Sequence, residues 1–261
     1  MTQRKYKRLF LDLETSPNIV YSWRLGAKVF LDHQNMIHER AIICACWKWE
    51  GQTTVHHLSW DANHSDKTLL QHLVPVLDAA DEIVAHYGSR FDIPWVKTRC
   101  MLHQIPCGWE YKVVDTCTEA RLRFYLNSTR LDYIAKFLGR EGKIQTDFSW
   151  WLAVLNDSPG ALTCMVRYCQ QDVRELEAVY HRLAPYIKGR SHRGVAEGGS
   201  RWQCPHCGSE HVRLNKTRPT AAGILQHWMN CQDCHRYYPL CTLIYEQMLE
   251  ERISLPIKET P

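Results

Sequence analysis

The sequence predicts a mixed α/β domain followed by a small segment held together by cysteines. Three observations carry the prediction. Short apolar runs rich in β-branched and aromatic residues precede longer stretches of helical periodicity, the order expected of a mixed sheet with helices packed on it. Residues 188–200, KGRSHRGVAEGGS, are rich in glycine, serine and charge and have almost nothing to bury, which marks a linker. Beyond it come two Cys-x-x-Cys pairs in a stretch of distinct composition. The organisation expected is a domain over 1–187, a linker over 188–200, and a second small domain with a C-terminal tail over 201–261.

The first strand is RLFLDLET, residues 8–15, an apolar run after a basic lead. AIICACWKW (41–49) and TTVHHLSW (53–60) read as the second and third, joined through Gly51 into a meander. Residues 66–80 place Leu69, Leu70, Leu73, Val76 and Leu77 at helical spacing behind an Asp/Ser-rich lead, an amphipathic helix. DEIVAH (81–86) is a short buried strand, IPWVKTRCMLHQ a helix, and KVVDT (112–116) a further strand, the fifth. From there to Tyr186 the periodicity is helical, including RLDYIAKFLG and VRYCQQDVRELEAVYHRL.

With 261 residues, 45% hydrophobic and 23% charged, the chain has the composition of a folded globular protein. A formal charge of +4 permits a polyanionic partner without requiring one. No apolar run approaches the roughly 20 residues that cross a bilayer. No long apolar region precedes the first acids, so the expectation is a cytoplasmic or nucleocytoplasmic chain, or a viral one in host cytoplasm, and not a secreted one. Of the twelve cysteines, Cys44, Cys46, Cys100 and Cys164 stand singly among apolar residues, where reduced thiols pack as small hydrophobes.

The first strand contains a conflict. Asp12 and Glu14 interrupt it two residues apart, so both carboxylates point to one face of an otherwise buried element. Asp92 follows a strand and opens a helix, Asp115 ends another strand, and Tyr168 and Asp172 lie four apart on one helix face. Such positions converge only at the rim of a sheet. Hard oxygen donors with no His or Cys among them favour Mg²⁺ or Mn²⁺. Two such ions about 3.5–4 Å apart stabilise the attacking and leaving oxygens of an in-line displacement at phosphorus, which implies phosphodiester cleavage. Singly, each piece has a plainer reading: an exposed acidic face, an N-cap at Asp92, a surface pair at Tyr168 and Asp172. Order and spacing together carry the inference.

The segments FLDLET, FDIPWVKTRC, VVDT, STRLDYIAKFLG and YCQQDVREL, in that order, resemble the DEDD exonucleases of RNase H-like fold. The subgroup is the one whose third motif is Tyr-x-x-x-Asp, and the likeness is closest to the proofreading 3′→5′ exonuclease domain of family B DNA polymerases, over about residues 7–186. The resemblance implies a five-stranded RNase H-like mixed sheet flanked by helices, and two Mg²⁺ or Mn²⁺ ions. By position, Asp12 would bridge both ions, Glu14 and Asp172 would complete the water-activating site, Asp92 would hold the second ion, and Tyr168 would orient the attacking water. Thr15, His86, Tyr87 and Phe91 would touch substrate. The family usually has Asn where this chain has Tyr87, which exchanges a two-way amide for a ring and one hydroxyl. Asp115 has no role in that group and reads as a strand-end or helix-capping acid.

Cys204, Cys207, Cys231 and Cys234 form two knuckles separated by a loop, the tetrahedral thiolate set that one structural Zn²⁺ prefers, and Gly208 suits the turn after the first. His206, His211 and His235 could substitute as ligands, although four thiolates already fill the shell and leave them as surface residues. The segment resembles a zinc ribbon, too short to build a core without its metal. Arg213, Lys216 and Arg218 lie in its loop with Trp202, Trp228, Tyr237 and Tyr238 nearby. These aromatics are either the ribbon's own small core beside a solvated charged face, or, with the cations, a grip on single-stranded nucleic acid. The function expected is a free-standing, metal-dependent 3′→5′ exonuclease on single-stranded or frayed DNA ends, serving a polymerase or a replication or repair complex. An exoribonuclease and a non-cleaving nucleic-acid adaptor are the alternatives.

Overall fold

A computed structural model describes residues 5–26, 28–107, 111–140, 146–187 and 191–254. The first three linker residues and the tail beyond 254 lie outside these. The chain divides into two compact units, Lys7–Arg182 and a second one that begins at Leu183 and also takes in Tyr6.

The larger unit runs β1 (Arg8–Thr15), β2 (Ile19–Val20), β3 (Met36–His38), β4 (Ile42–Trp49), β5 (His56–Ser59), α1 (Lys67–Asp78), β6 (Glu82–Ala85), α2 (Asp92–Leu102), β7 (Val113–Asp115), α3 (Thr116–Arg123), α4 (Leu131–Phe137), α5 (Phe148–Leu155) and α6 (Ala161–Leu183). Its sheet has the order β5-β4-β1-β6-β7. The β1–β4 and β4–β5 pairs are antiparallel; β1–β6 and β6–β7 are parallel. This is the expected five-stranded mixed sheet flanked by helices. The small β2–β3 pair within residues 17–40 was not legible in advance, because its strands are two and three residues long and distant in sequence.

Alternation along β1 sorts its side chains between two layers. Leu9, Leu11 and Leu13 face a core with Leu69, Leu70, Leu73 and Leu77 of α1 and Ile93, Val96 and Cys100 of α2. The other face meets α6: the Phe10 and Tyr180 rings lie 5.5 Å apart, edge to face, and Lys48 pairs with Glu177. Asp12 and Glu14 share that face, opposite Cys46 and Cys44 in the β1–β4 register. The first layer is pinned by an ionic group around the fully buried Asp66. Asp66 accepts from Arg99 at 2.7 and 2.9 Å and from the Ile42 N–H at 2.9 Å, and it pairs with His103 at 2.7 Å.

The second unit contains α7 (Arg193–Ala196), β8 (Val212–Pro219), β9 (Leu225–Cys231), β10 (Tyr237–Cys241) and α8 (Thr242–Ser254), with its strands in the antiparallel order β10-β9-β8. Trp202, Val212, Met229, Tyr238, Leu240, Ile244 and Met248 make its small core. Among the described residues no helix is long and apolar enough to cross a membrane.

Candidate active site

Where β1 ends, one oxygen each from Asp12, Glu14 and Asp172 falls within 4.8 Å of the others. The strand supplies the first two by its period of two. Asp172 comes from α6, which is locked against the strand where the Cys169 thiol donates to the Asp12 carbonyl oxygen at 3.3 Å. Behind the acids the Sγ atoms of Cys44, Cys46 and Cys169 also gather within 4.8 Å, packed as buried small hydrophobes. One turn before Asp172, the Tyr168 ring is buried against the edges of Trp150 and Trp151, at 6.3 and 6.5 Å.

Asp92 opens α2 and stands outside the trio. It is 2% exposed, and its Oδ1 has no hydrogen-bond partner among the described residues. Burial pushes its pKa up to about 7, with a further push from Asp115, although its own main-chain N–H and that of Leu13 favour the charged form. The Leu13 contact places Asp92 beside β1 between the two strand acids.

The turn before α2 is shaped by Asp115. Its Oδ1 accepts from the N–H groups of Tyr87 (3.1 Å) and Thr118 (3.0 Å), and its Oδ2 accepts from the N–H of Ser89 at 3.3 Å and from the Ser89 hydroxyl. Asp115 therefore caps α3, as expected, and also fixes the turn that leads into Asp92. Within that turn a side chain at Gly88 would put its Cβ 2.2 Å from the Ala85 Cβ, so only glycine fits. Tyr87 takes the left-handed conformation, φ 65°, and the residue is 40% exposed.

A cleft of about 640 Å³ opens over the acids, with Asp12, Tyr168 and Asp172 on its lining together with Tyr87, Arg121 and Arg130. A second cleft of about 500 Å³ is lined by Glu14, Thr15, Arg40, Phe91, Phe148 and Trp151, and Thr146 lines both. Thr15 is engaged there, its hydroxyl accepting from Arg40 at 2.8 Å and its carbonyl from the Trp151 indole at 3.0 Å. Both ring nitrogens of His86 are bonded within the protein, to the Thr116 hydroxyl (2.9 Å) and the Thr129 carbonyl (2.8 Å). Sequence reasoning did not single out Arg121, Arg130 or Trp151. Arg130 stood inside the quoted segment STRLDYIAKFLG, but arginine on a helical stretch carries no signal until a cavity is seen beside it.

In the second unit the four sulfurs of Cys204, Cys207, Cys231 and Cys234 lie within 4.8 Å of one another. The two knuckles are built alike. Gly208 (φ 78°) follows the first and His235 (φ 58°) the second, each in the left-handed turn position. His206 contacts Arg236 and His211 contacts Asp233, so both have other partners. Arg213, Lys216 and Arg218 lie on β8.

A family B DNA polymerase from the hyperthermophilic archaeon Pyrobaculum calidifontis is structurally similar, with a TM-score of 0.51 at 14% sequence identity. The likeness covers 74% of this chain and 26% of the polymerase chain, and it is a likeness of fold. No curated protein matches. Residues 29–184, more than half of the chain, match the RNase_H superfamily, a stretch that holds Asp92, Tyr168 and Asp172 and begins after Asp12 and Glu14. The chain belongs to the RNase_H superfamily and carries its nuclease fold.

Proposed function

We propose that the chain is a divalent-cation-dependent 3′→5′ exonuclease that removes nucleotides from single-stranded or frayed DNA ends. The observation that carries the reading is the meeting of Asp12, Glu14 and Asp172 within 4.8 Å, with Asp12, Asp172 and Tyr168 on the wall of one cleft and Glu14 on that of a second. Three carboxylates crowded in this way repel one another unless a cation lies among them. The oxygen-only donor set suits Mg²⁺ or Mn²⁺, and the buried Oδ1 of Asp92, without a hydrogen-bond partner among the described residues, is a further oxygen available to one. Asp12, Glu14, Asp92 and Asp172 would hold these ions. When bound, they supply positive charge to the phosphoryl oxygens as negative charge develops there.

The remaining groups position the strand. Tyr168, packed by two indoles, would orient the attacking water through its hydroxyl. Arg121 and Arg130 line the same cleft, have no carboxylate partner among the described residues, and suit the phosphate of the terminal linkage. The exposed ring of Tyr87 offers a face for a base, and Phe91 and Trp151 do so in the adjoining cleft. In the second unit, four sulfurs and two matching knuckle turns fit one structural Zn²⁺.

End-labelled oligonucleotides test the reading. A 5′-labelled single strand should shorten into a ladder in Mg²⁺ or Mn²⁺, while a 3′-labelled strand should release its label in the first step. A matched RNA should be cut more slowly. Preferential cutting of RNA would move the substrate to RNA, and internal cutting would remove the exonuclease assignment.

A further inference from the structure

The C-terminal sheet has a face that its own core does not use. In an antiparallel sheet, residues directly opposite one another share a face. The β9 residues Met229 and His227 oppose Tyr238 and Leu240 of β10 on the inner side, where Met229, Tyr238 and Leu240 are buried. The His227 ring is also held there, stacked on Tyr245 with centroids 4.2 Å apart. The alternate rows turn outward: Arg213 and Tyr237 flank Asn230, Lys216 and Pro239 flank Trp228, and Arg218 opposes Gln226.

Strict alternation along β8 would separate Arg213 from Lys216 and Arg218. The register irregularity between Leu214 and Lys216 restores them to one side. The three cations are exposed, and none has a carboxylate partner among the described residues. The three outward rows contain no acid. Tyr237 is 56% exposed and Trp228 half-buried on the same side. Trp202 and Tyr238 lie in the core, so the aromatics are divided between the two roles that the sequence left open.

We infer that this outer face of β8, β9 and β10 is a binding platform for single-stranded nucleic acid, with Arg213, Lys216 and Arg218 on phosphates and Trp228 and Tyr237 stacking bases. Cations spaced about 7 Å per two strand residues can follow a backbone. Aromatic rings between them meet bases without regard to sequence. A folded-protein partner would bring carboxylates to match the cations but would not call for the interleaved rings. The platform deepens the nuclease reading by adding a substrate contact outside the cleft, yet it stands on different residues.

The test uses the zinc-loaded Asp12→Ala variant of the 261-residue chain without added Mg²⁺ or Mn²⁺, and fluorescence anisotropy with labelled single-stranded DNA, the matched RNA, duplex DNA and an acidic peptide. Single strands of either chemistry should bind in preference to the duplex and the peptide. The triple variant Arg213→Ala/Lys216→Ala/Arg218→Ala should reduce the slope of log affinity against log salt by about 2, at ~0.7 per phosphate contact. Trp228→Ala should weaken binding about 5- to 100-fold for every sequence tried. An unchanged slope in a folded triple variant would overturn the inference, as would equal affinity for the acidic peptide. Because the readout is binding by a non-cleaving protein, failure of the catalytic reading would leave this result intact, and the reverse.

Discussion

Tyr87 shows how a single residue can carry information that motif comparison flags but cannot explain. Its φ of 65° is a conformation that Asn and Gly adopt with little cost and a bulky residue does not. The resemblance marks Asn at this position, and the backbone supplies a reason. The Asp115 carboxylate, which holds the Tyr87 N–H, keeps the strained turn in place. Tyr87→Asn should therefore stabilise the fold by about 1 kcal/mol, a rise of about 2–4 °C in melting temperature, while Tyr87→Ala should give no such gain. A fall in melting temperature with Asn would show that the ring is held by packing.

Asp92 yields a second prediction at this scale. Its folded pKa of about 7 lies above the ordinary carboxylate value near 4, chiefly because it is buried. Between those values the folded state keeps a proton that the unfolded state has lost, so this group's contribution to stability falls as pH rises through the window and is constant above it. Without added Mg²⁺ or Mn²⁺, melting from pH 4 to 8 should show this decline in the wild type, and the difference from Asp92→Asn should isolate it. A difference that does not vary with pH would place the Asp92 pKa in the ordinary range.

Among the elements, β1 was the most legible. Its acids at an interval of two conflict with an apolar run, and such a conflict marks a candidate site from sequence alone. Tyr168 and Asp172 were legible for the same reason on a helix, as were the cysteine knuckles. What could not be read was anything decided by register or by a cavity wall: the outward row of Arg213, Lys216 and Arg218, which depends on a strand irregularity, and the arginines of the cleft. Asp66 is a further case, since nothing in HSDKTLL shows that this aspartate is buried against Arg99 and His103. Asp66→Ala would leave the Arg99 guanidinium buried without its carboxylate and should cost about 3–5 kcal/mol in chemical denaturation. A loss under 1 kcal/mol would mean that Arg99 finds water.

For the whole molecule, the division near residue 183 joins two units with different sources of stability. The larger one buries a continuous apolar layer between its sheet and α1 and α2. The smaller core gathers around four cysteines, so, if they bind the proposed Zn²⁺, its folding should depend on that metal. Cys207→Ser, or removal of zinc by a chelator, should abolish a melting transition belonging to the second unit and spare that of the first. Loss of both together would show that the units fold as one.

The acids gathered at the end of β1 are proposed to perform metal-dependent hydrolysis at a 3′ end. The most direct test is the rate at which the 3′-terminal nucleotide leaves a single-stranded DNA in Mn²⁺, compared between the wild type and a folded Asp12→Asn protein. The rate should depend on the metal in the wild type and fall at least about 100-fold in the variant. An Asp12→Asn protein that releases the nucleotide at the wild-type rate would contradict that proposed role.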